Sequence, residues 1–201
     1  MSAKRSQRDL PTTEPSLVVL PDITVAYVST DTGEDPSLVG ADVMKALYGA
    51  AYGLRFALKK RGVDMVMDMP RARWEWRPDE AGAIDPATPT SGALSGQWAL
   101  SVPDGTLEQD LPQKDPRFPV RIARWQYGDC AWVMHLGGYD EEMPTVRRLV
   151  SFIHDSGREV IGDHEEWYLS MPNAKVPKTV ILYPVRERSA AADPAAGQPA
   201  G

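Results

Sequence analysis

The stretch Asp163–Pro172, D-H-E-E-W-Y-L-S-M-P, is the starting point for reading the fold. Aromatic and aliphatic residues alternate with polar ones, which predicts a β-strand. Alternation puts His164, Glu166, Tyr168 and Ser170 on one face and Glu165, Trp167, Leu169 and Met171 on the other. The second face is mostly apolar and is expected to meet the helices. The first carries a carboxylate between a histidine and a tyrosine. A carboxylate among aromatic rings, if partly buried, suits a large flat cation or a polarised apolar ligand. Taken alone, the segment's plainer reading is a strand that shows Glu166 to water, as most strand glutamates do.

A helix is expected over Met143–Asp155, with Val146, Leu149, Val150 and Ile153 inward and Gly157 just past its end. A strand, Cys130–Leu136, precedes it through G-G-Y-D-E-E-M-P. The first half echoes this order: strand Ile23–Ser29, the link T-D-T-G-E-D-P, and a helix from Pro36 to Arg61. Both links run from glycine through acids to proline. Acids there complement the helix dipole, and proline in the first turn loses no hydrogen bond.

In the first helix Val43, Leu47, Ala50, Leu54 and Leu58 form an aliphatic stripe. Met44, Tyr48, Tyr52 and Phe56 form an aromatic one beside it, read chiefly as core. Gly49 and Gly53 permit close approach of a strand or ligand. Each helix leads into two strands: Asp64–Trp76 and Gln97–Val102 after the first, His164–Met171 and Thr179–Arg186 after the second. A further strand, Pro119–Gln126, is expected to pair with Cys130–Leu136 as a hairpin through Y-G-D. The expected fold class is α+β: duplicated strand-helix-strand-strand units forming an antiparallel sheet with two main helices on one face. Residues 1–20 read as a flexible arm, 21–188 as one ligand-binding domain of two pseudo-equivalent halves, and 189–201 as a disordered Ala/Gly/Pro tail. A long loop is expected between Pro78 and Gly96.

A chain of 201 residues with 42% hydrophobic content can bury a core without disulfides, and its single cysteine, Cys130, fits a reducing compartment. No apolar run is long enough to span a membrane, and no secretory signal opens the chain, so the expected location is cytoplasmic. A net charge of −6 with scattered basic residues argues against a nucleic-acid partner. The sequence sets no oligomeric state. His135, His154 and His164 with one cysteine lack zinc spacing, and no nucleotide-binding or nucleophile-elbow motif occurs, so neither metal nor cofactor is expected. Cys130 reads as an inert thiol and His135 as a hydrogen-bonded core histidine. Six tryptophans and seven tyrosines stand against three phenylalanines, a balance that favours binding surfaces as well as core.

Four stretches resemble the GyrI-like small-molecule-binding proteins, which are related to effector-binding domains of multidrug-sensing regulators. They are Y-V-S-T-D-T-G-E-D-P (27–36), A-L-Y-G-A-A-Y-G-L-R-F-A-L-K-K (46–60), V-M-H-L-G-G-Y-D-E-E-M-P-T-V (133–146) and H-E-E-W-Y-L-S-M-P (164–172). The resemblance spans roughly residues 20–187. It implies a ligand cleft near a pseudo-twofold axis, with aromatics around a central glutamate. On motif matching that glutamate is Glu166, with Tyr168 beside it.

The lining set expected on this basis is Glu166, Tyr168, His164, Trp132, Met134, Tyr139, Tyr48, Trp74, Trp76 and Trp98. Two departures stand out. The family's P-L-E-G-L-W-W region is P-R-A-R-W-E-W (70–76) here, which puts Ala72 at the position of its glutamate and leaves Glu75 as a replacement only on the face opposite Trp74 and Trp76; the second histidine of its H-H-E motif is Glu165 here. The expected function is binding of planar aromatic, often cationic small molecules by a stand-alone binder, since the first twenty residues are too few for a helix-turn-helix. The alternative is a hydrolase opening cyclopropane-bearing DNA-alkylating natural products, with Glu166 as general base and Tyr168 as proton donor.

Overall fold

The computed structural model describes residues 10–30, 36–75, 96–171 and 173–188. They form nine strands and two α-helices: β1 (Ser16–Leu20), β2 (Ile23–Ser29), α1 (Pro36–Lys60), β3 (Arg71–Trp74), β4 (Gly96–Ser101), β5 (Arg121–Trp125), β6 (Gly128–Leu136), α2 (Met143–Asp155), β7 (Arg158–Val160), β8 (His164–Tyr168) and β9 (Lys178–Glu187). All pairings are antiparallel, in the order β1-β6-β9-β8-β3-β4-β2-β5, with β7 beside the end of β9. The fold class is α+β. The order is symmetric about the β3–β8 pair: β6-β9-β8 on one side mirrors β2-β4-β3 on the other.

Two expectations about strands are corrected. β5 and β6 do not pair as a hairpin. β5 pairs with β2, and β6 pairs with β1 and β9. Gly128, at φ +75°, turns the chain out of one half and into the other, and the Tyr127 N–H donates to Asp22 Oδ1 on the neighbouring corner. Residues 16–20, expected within a loose arm, form β1, because Leu20 and its neighbours find an unpaired edge on β6. Together β1–β2 and β5–β6 make one long ribbon that joins both ends of the strand order. The sheet therefore curls back on itself.

Register fixes the two faces. Ala26, Val28, Leu100 and Val102 pack with Val43, Leu47, Ala50 and Leu54 of α1. Ala131, Val133, Ile181 and Tyr183 pack with Val146, Leu149 and Ile153 of α2. Both helices lie on one face. Cross-strand pairing places Glu166 with Ile181 and with Ala72, so Glu166 belongs to the helix face. Trp167 belongs to the other, inside the curl, with Leu20, Cys130, Trp132, Val180 and Leu182. The expectation that Trp167 and Leu169 meet the helices is therefore inverted. Because the sheet curls, both faces of β8 are buried, and alternation alone could not tell which one the helices cover.

Some bounds also move. The expected strand from Asp64 is paired only from Arg71, after Pro70, which has no N–H to give a ladder. Short β7 had no alternation to reveal it. On α1 the aromatic stripe is split: Tyr48 is half-buried, while Tyr52 and Phe56 are exposed. A Cβ on Gly53 would lie 2.3 Å from Pro112 Cγ, so this glycine admits the loop around Pro112 and not a strand or ligand. Burial pushes the Cys130 thiol up to about 12, which leaves it inert. Residues 1–9, 189–201, Trp76 and most of the long loop lie outside the described residues.

Candidate functional site

At the β3–β8 junction, on the helix face, Trp74 pairs across the strands with His164 and Ala72 pairs with Glu166. Trp98 of β4 lies beside Ala72, and its ring stacks on Tyr168 at 5.7 Å and 24°. Trp74 meets Trp98 edge-on at 5.3 Å, and Tyr139 meets Tyr168 edge-on at 5.6 Å. The Trp74 ring occupies the space above Gly96, where a Cβ would lie 2.5 Å from it. The rings pack on one another, with Tyr139, half-exposed on a single 3-10 turn before α2, at the outer side.

Glu166 is 6% exposed at the floor of this group. His164 Nε2–H donates to Glu166 Oε1 at 2.9 Å, and His164 Nδ1 bonds the Tyr183 hydroxyl at 2.7 Å. Burial works to raise the Glu166 carboxyl. The hydrogen bond and charge of His164, with further bonds from Tyr168 and Glu142, outweigh it and hold Glu166 below the ordinary carboxylate range. Glu142, the residue before α2, behaves oppositely. Burial, then the negative charge of Glu166 and the bond to it, push the Glu142 carboxyl up to about 9. Its Oε2 is buried and has no hydrogen-bond partner among the described residues. The two carboxyls are thus pulled apart, Glu142 toward its protonated form and Glu166 toward its ionised one. Burial and the Glu166 charge also raise the Tyr168 and Tyr139 hydroxyls, keeping both protonated.

Glu142, His164 and Glu166 bring one ligand-type atom each within 4.8 Å of one another, a spacing that would admit a cation. Within this trio His164 and Glu166 are hydrogen-bonded directly to each other.

No protein-family model matches the chain, and no curated protein matches it. Solved structures do. A conserved protein from Listeria innocua superposes at TM-score 0.71 and 24% identity, over 88% of this chain and 94% of its own. A hydrolase from Listeria innocua superposes at 0.71 and 23%, over 90% and 95%. The C-terminal domain of EcmrR does so at 0.55 and 15%, over 87% and 98%. The fold is GyrI-like.

Within this GyrI-like fold the candidate residues divide. Glu166, His164, Tyr168, Tyr139, Trp74 and Trp98 come together. Trp132 and Met134 lie inside the curl, Trp132 edge-on to Trp167 at 6.1 Å and donating to Ser16 Oγ, because β6 turns its even-numbered residues away from the helices. Tyr48 stacks on Tyr52 and packs on the core under α1. Trp76 is outside the described residues. Glu142 was missed by sequence reasoning. Its place at the end of G-Y-D-E-E, before Met143 and Pro144, read as a complement to the helix dipole. The one available signal was the resemblance, which asked for a second carboxyl that Ala72 does not supply. Ala72 instead lies across from Glu166, and Glu142 reaches Glu166 from the turn before α2.

Proposed function

We propose that the protein is a hydrolase that opens strained electrophiles carried on planar aromatic molecules. The observation that carries this reading is the Glu142–Glu166 contact, one carboxyl protonated and its neighbour ionised. Such a divergence assigns acid and base roles in a single site. The Listeria innocua hydrolase of the same fold is consistent with it.

Glu166, oriented by His164 and Tyr168, takes a proton from water as the water oxygen attacks the strained ring carbon. The ring bond breaks, and its electron pair moves to a conjugated oxygen of the substrate. That oxygen takes the proton of Glu142. Glu166 then returns its proton to Glu142 across their contact, so one water is consumed and the pair is reset. The Tyr168 hydroxyl is engaged by Glu166. Its part is therefore to orient the base, and Glu142 replaces it as the donor. Trp74, Trp98 and Tyr139 supply the flat walls.

The test is incubation with a cyclopropane-bearing alkylator, followed by mass spectrometry for a product heavier by one water. Wild type is expected to form it, and Glu142→Gln and Glu166→Gln each to lose about 100-fold or more in rate. Recovery of unchanged compound would sink the enzyme reading.

The aromatic group also supports a second reading, sequestration of planar cations by the same residues. In that case Glu166→Gln weakens a cationic dye by roughly tenfold to a hundredfold and a neutral one much less.

A further inference from the structure

His135, at the end of β6, is 4% exposed and touches neither Glu142 nor Glu166 by any hydrogen bond, yet it holds the segment that carries the acid. Its Nε2 lies 3.1 Å from the Gly138 carbonyl and its Nδ1 lies 3.0 Å from Thr145 Oγ1. A carbonyl only accepts, so Nε2 carries the proton, and Nδ1 accepts from the Thr145 hydroxyl. These two partners bracket Tyr139 and Glu142. Within the bracket the Glu141 carboxylate accepts from the Gly138 N–H, and the Thr145 N–H donates to the Glu142 carbonyl at 2.8 Å. Gly137, at φ +145°, lets the chain cross the imidazole: a Cβ there would lie 3.2 Å from His135 Nε2 and 2.8 Å from Glu141 Oε2.

We infer that His135 is a positioning residue that, by clamping Gly138 and Thr145 together, holds the Glu142 carboxyl against Glu166 and Tyr139 over both. The inference rests on the acid–base reading of the site. It adds a residue to that reading which has no contact with the reacting atoms. A turn of short-range bonds alone ties only the backbone of Glu142, and the single bond from its carboxyl to Glu166 would then have to set the position of the whole turn. The imidazole fixes both ends of the turn to a strand of the sheet.

The groups that face Glu142 are Glu166, with His164 and Tyr168 behind it, and Tyr139. A shift in Glu142 titration therefore reports its distance from these. The experiment uses substrate-free protein and follows the infrared carbonyl band of a protonated carboxyl against pH, assigned to Glu142 by its loss in Glu142→Gln. Wild type is expected to keep the band at neutral pH and lose it near 9. His135→Ala is expected to move that midpoint down by about one pH unit or more, as the carboxyl regains water. Thr145→Val, which removes one arm of the clamp and keeps the shape, should move it in the same direction by less. An unchanged midpoint in both variants would overturn the inference and leave the acid–base reading standing. If His135→Ala fails to fold, Thr145→Val decides alone: a downward shift supports the clamp and no shift overturns it. A wild-type band missing at neutral pH would overturn the acid–base reading, and the inference with it.

Discussion

Glu165 and Glu166 are adjacent on β8 and face opposite sides of the sheet, both buried and each stabilised by different chemistry. Glu166 meets His164 on the helix face. Glu165, inside the curl, accepts from Arg73 Nε at 2.7 Å, from the Tyr127 hydroxyl at 2.6 Å and from Trp167 Nε1 at 2.5 Å. Arg71 stands 3.8 Å away, bonded to Asp68 and Tyr127, its guanidinium over the Trp167 ring. Arg73 lies over Trp125 and Tyr127. One strand thus separates a structural ion network from a candidate catalytic pair.

That separation predicts opposite outcomes for the same substitution at neighbouring positions. Glu165→Gln removes the carboxylate paired with Arg73 and leaves Arg71 with Asp68 alone, and is expected to cost on the order of 3–5 kcal/mol of stability. Glu166→Gln keeps a hydrogen-bonding partner for His164 and should change stability by less than about 1.5 kcal/mol while slowing turnover about 100-fold or more. Urea unfolding of both variants checks this. Equal losses would mean that Glu166 is a structural residue like its neighbour.

The contact between Glu142 and Glu166 also predicts how stability varies with pH. The ordinary Glu142 value is 4.5 and the folded one about 9, so between these the native state binds more protons than the unfolded state. Stability from this group is full below 4.5 and is lost as pH rises toward 9. Glu166, held low, acts in the opposite sense and in a separate window below its ordinary value. Relative to Glu142→Gln, wild type should therefore lose stability steadily from about pH 5 to pH 8.5. Parallel stability curves for the two proteins over that interval would refute the protonated carboxyl.

Trp98 stacks on Tyr168 and abuts Trp74, which makes it the central ring of the aromatic group. Its removal should weaken a planar aromatic ligand about tenfold, or ~1.4 kcal/mol. Phe56, on the exposed face of α1 at 64% exposure, serves as the control and should leave binding unchanged when replaced by alanine. Fluorescence titration of Trp98→Ala and Phe56→Ala with one dye makes the comparison. An equal response from both would place the ligand elsewhere.

Periodicity made much of this legible from the chain alone. β2 and α2 match their expected bounds because β2 is a seven-residue run of mostly apolar, strand-favouring residues and the thirteen residues of α2 carry apolar side chains at helical spacing. The duplicated order followed from two such patterns joined by similar Gly-acid-Pro links. His164, Glu166 and Tyr168 could be grouped because a single strand sets their spacing. The Glu142 contact could not, because Glu142 sits twenty-two residues before His164 on a turn, and no local pattern reports where a turn closes in space.

Which side chains share a strand face follows from the order of residues, since alternation is a property of the backbone. Where each face lies depends on how the strands pair across the two halves. The exchange of β1 and β5 between halves curls the sheet, so the face of Trp132 and Trp167 becomes a closed interior without any helix upon it. The opposite face brings Trp74 and Trp98 to Tyr168, and the turn before α2 brings Glu142 to Glu166. Its two carboxyls then diverge because burial and a neighbouring charge act on them together, and neither influence exists until the chain has folded.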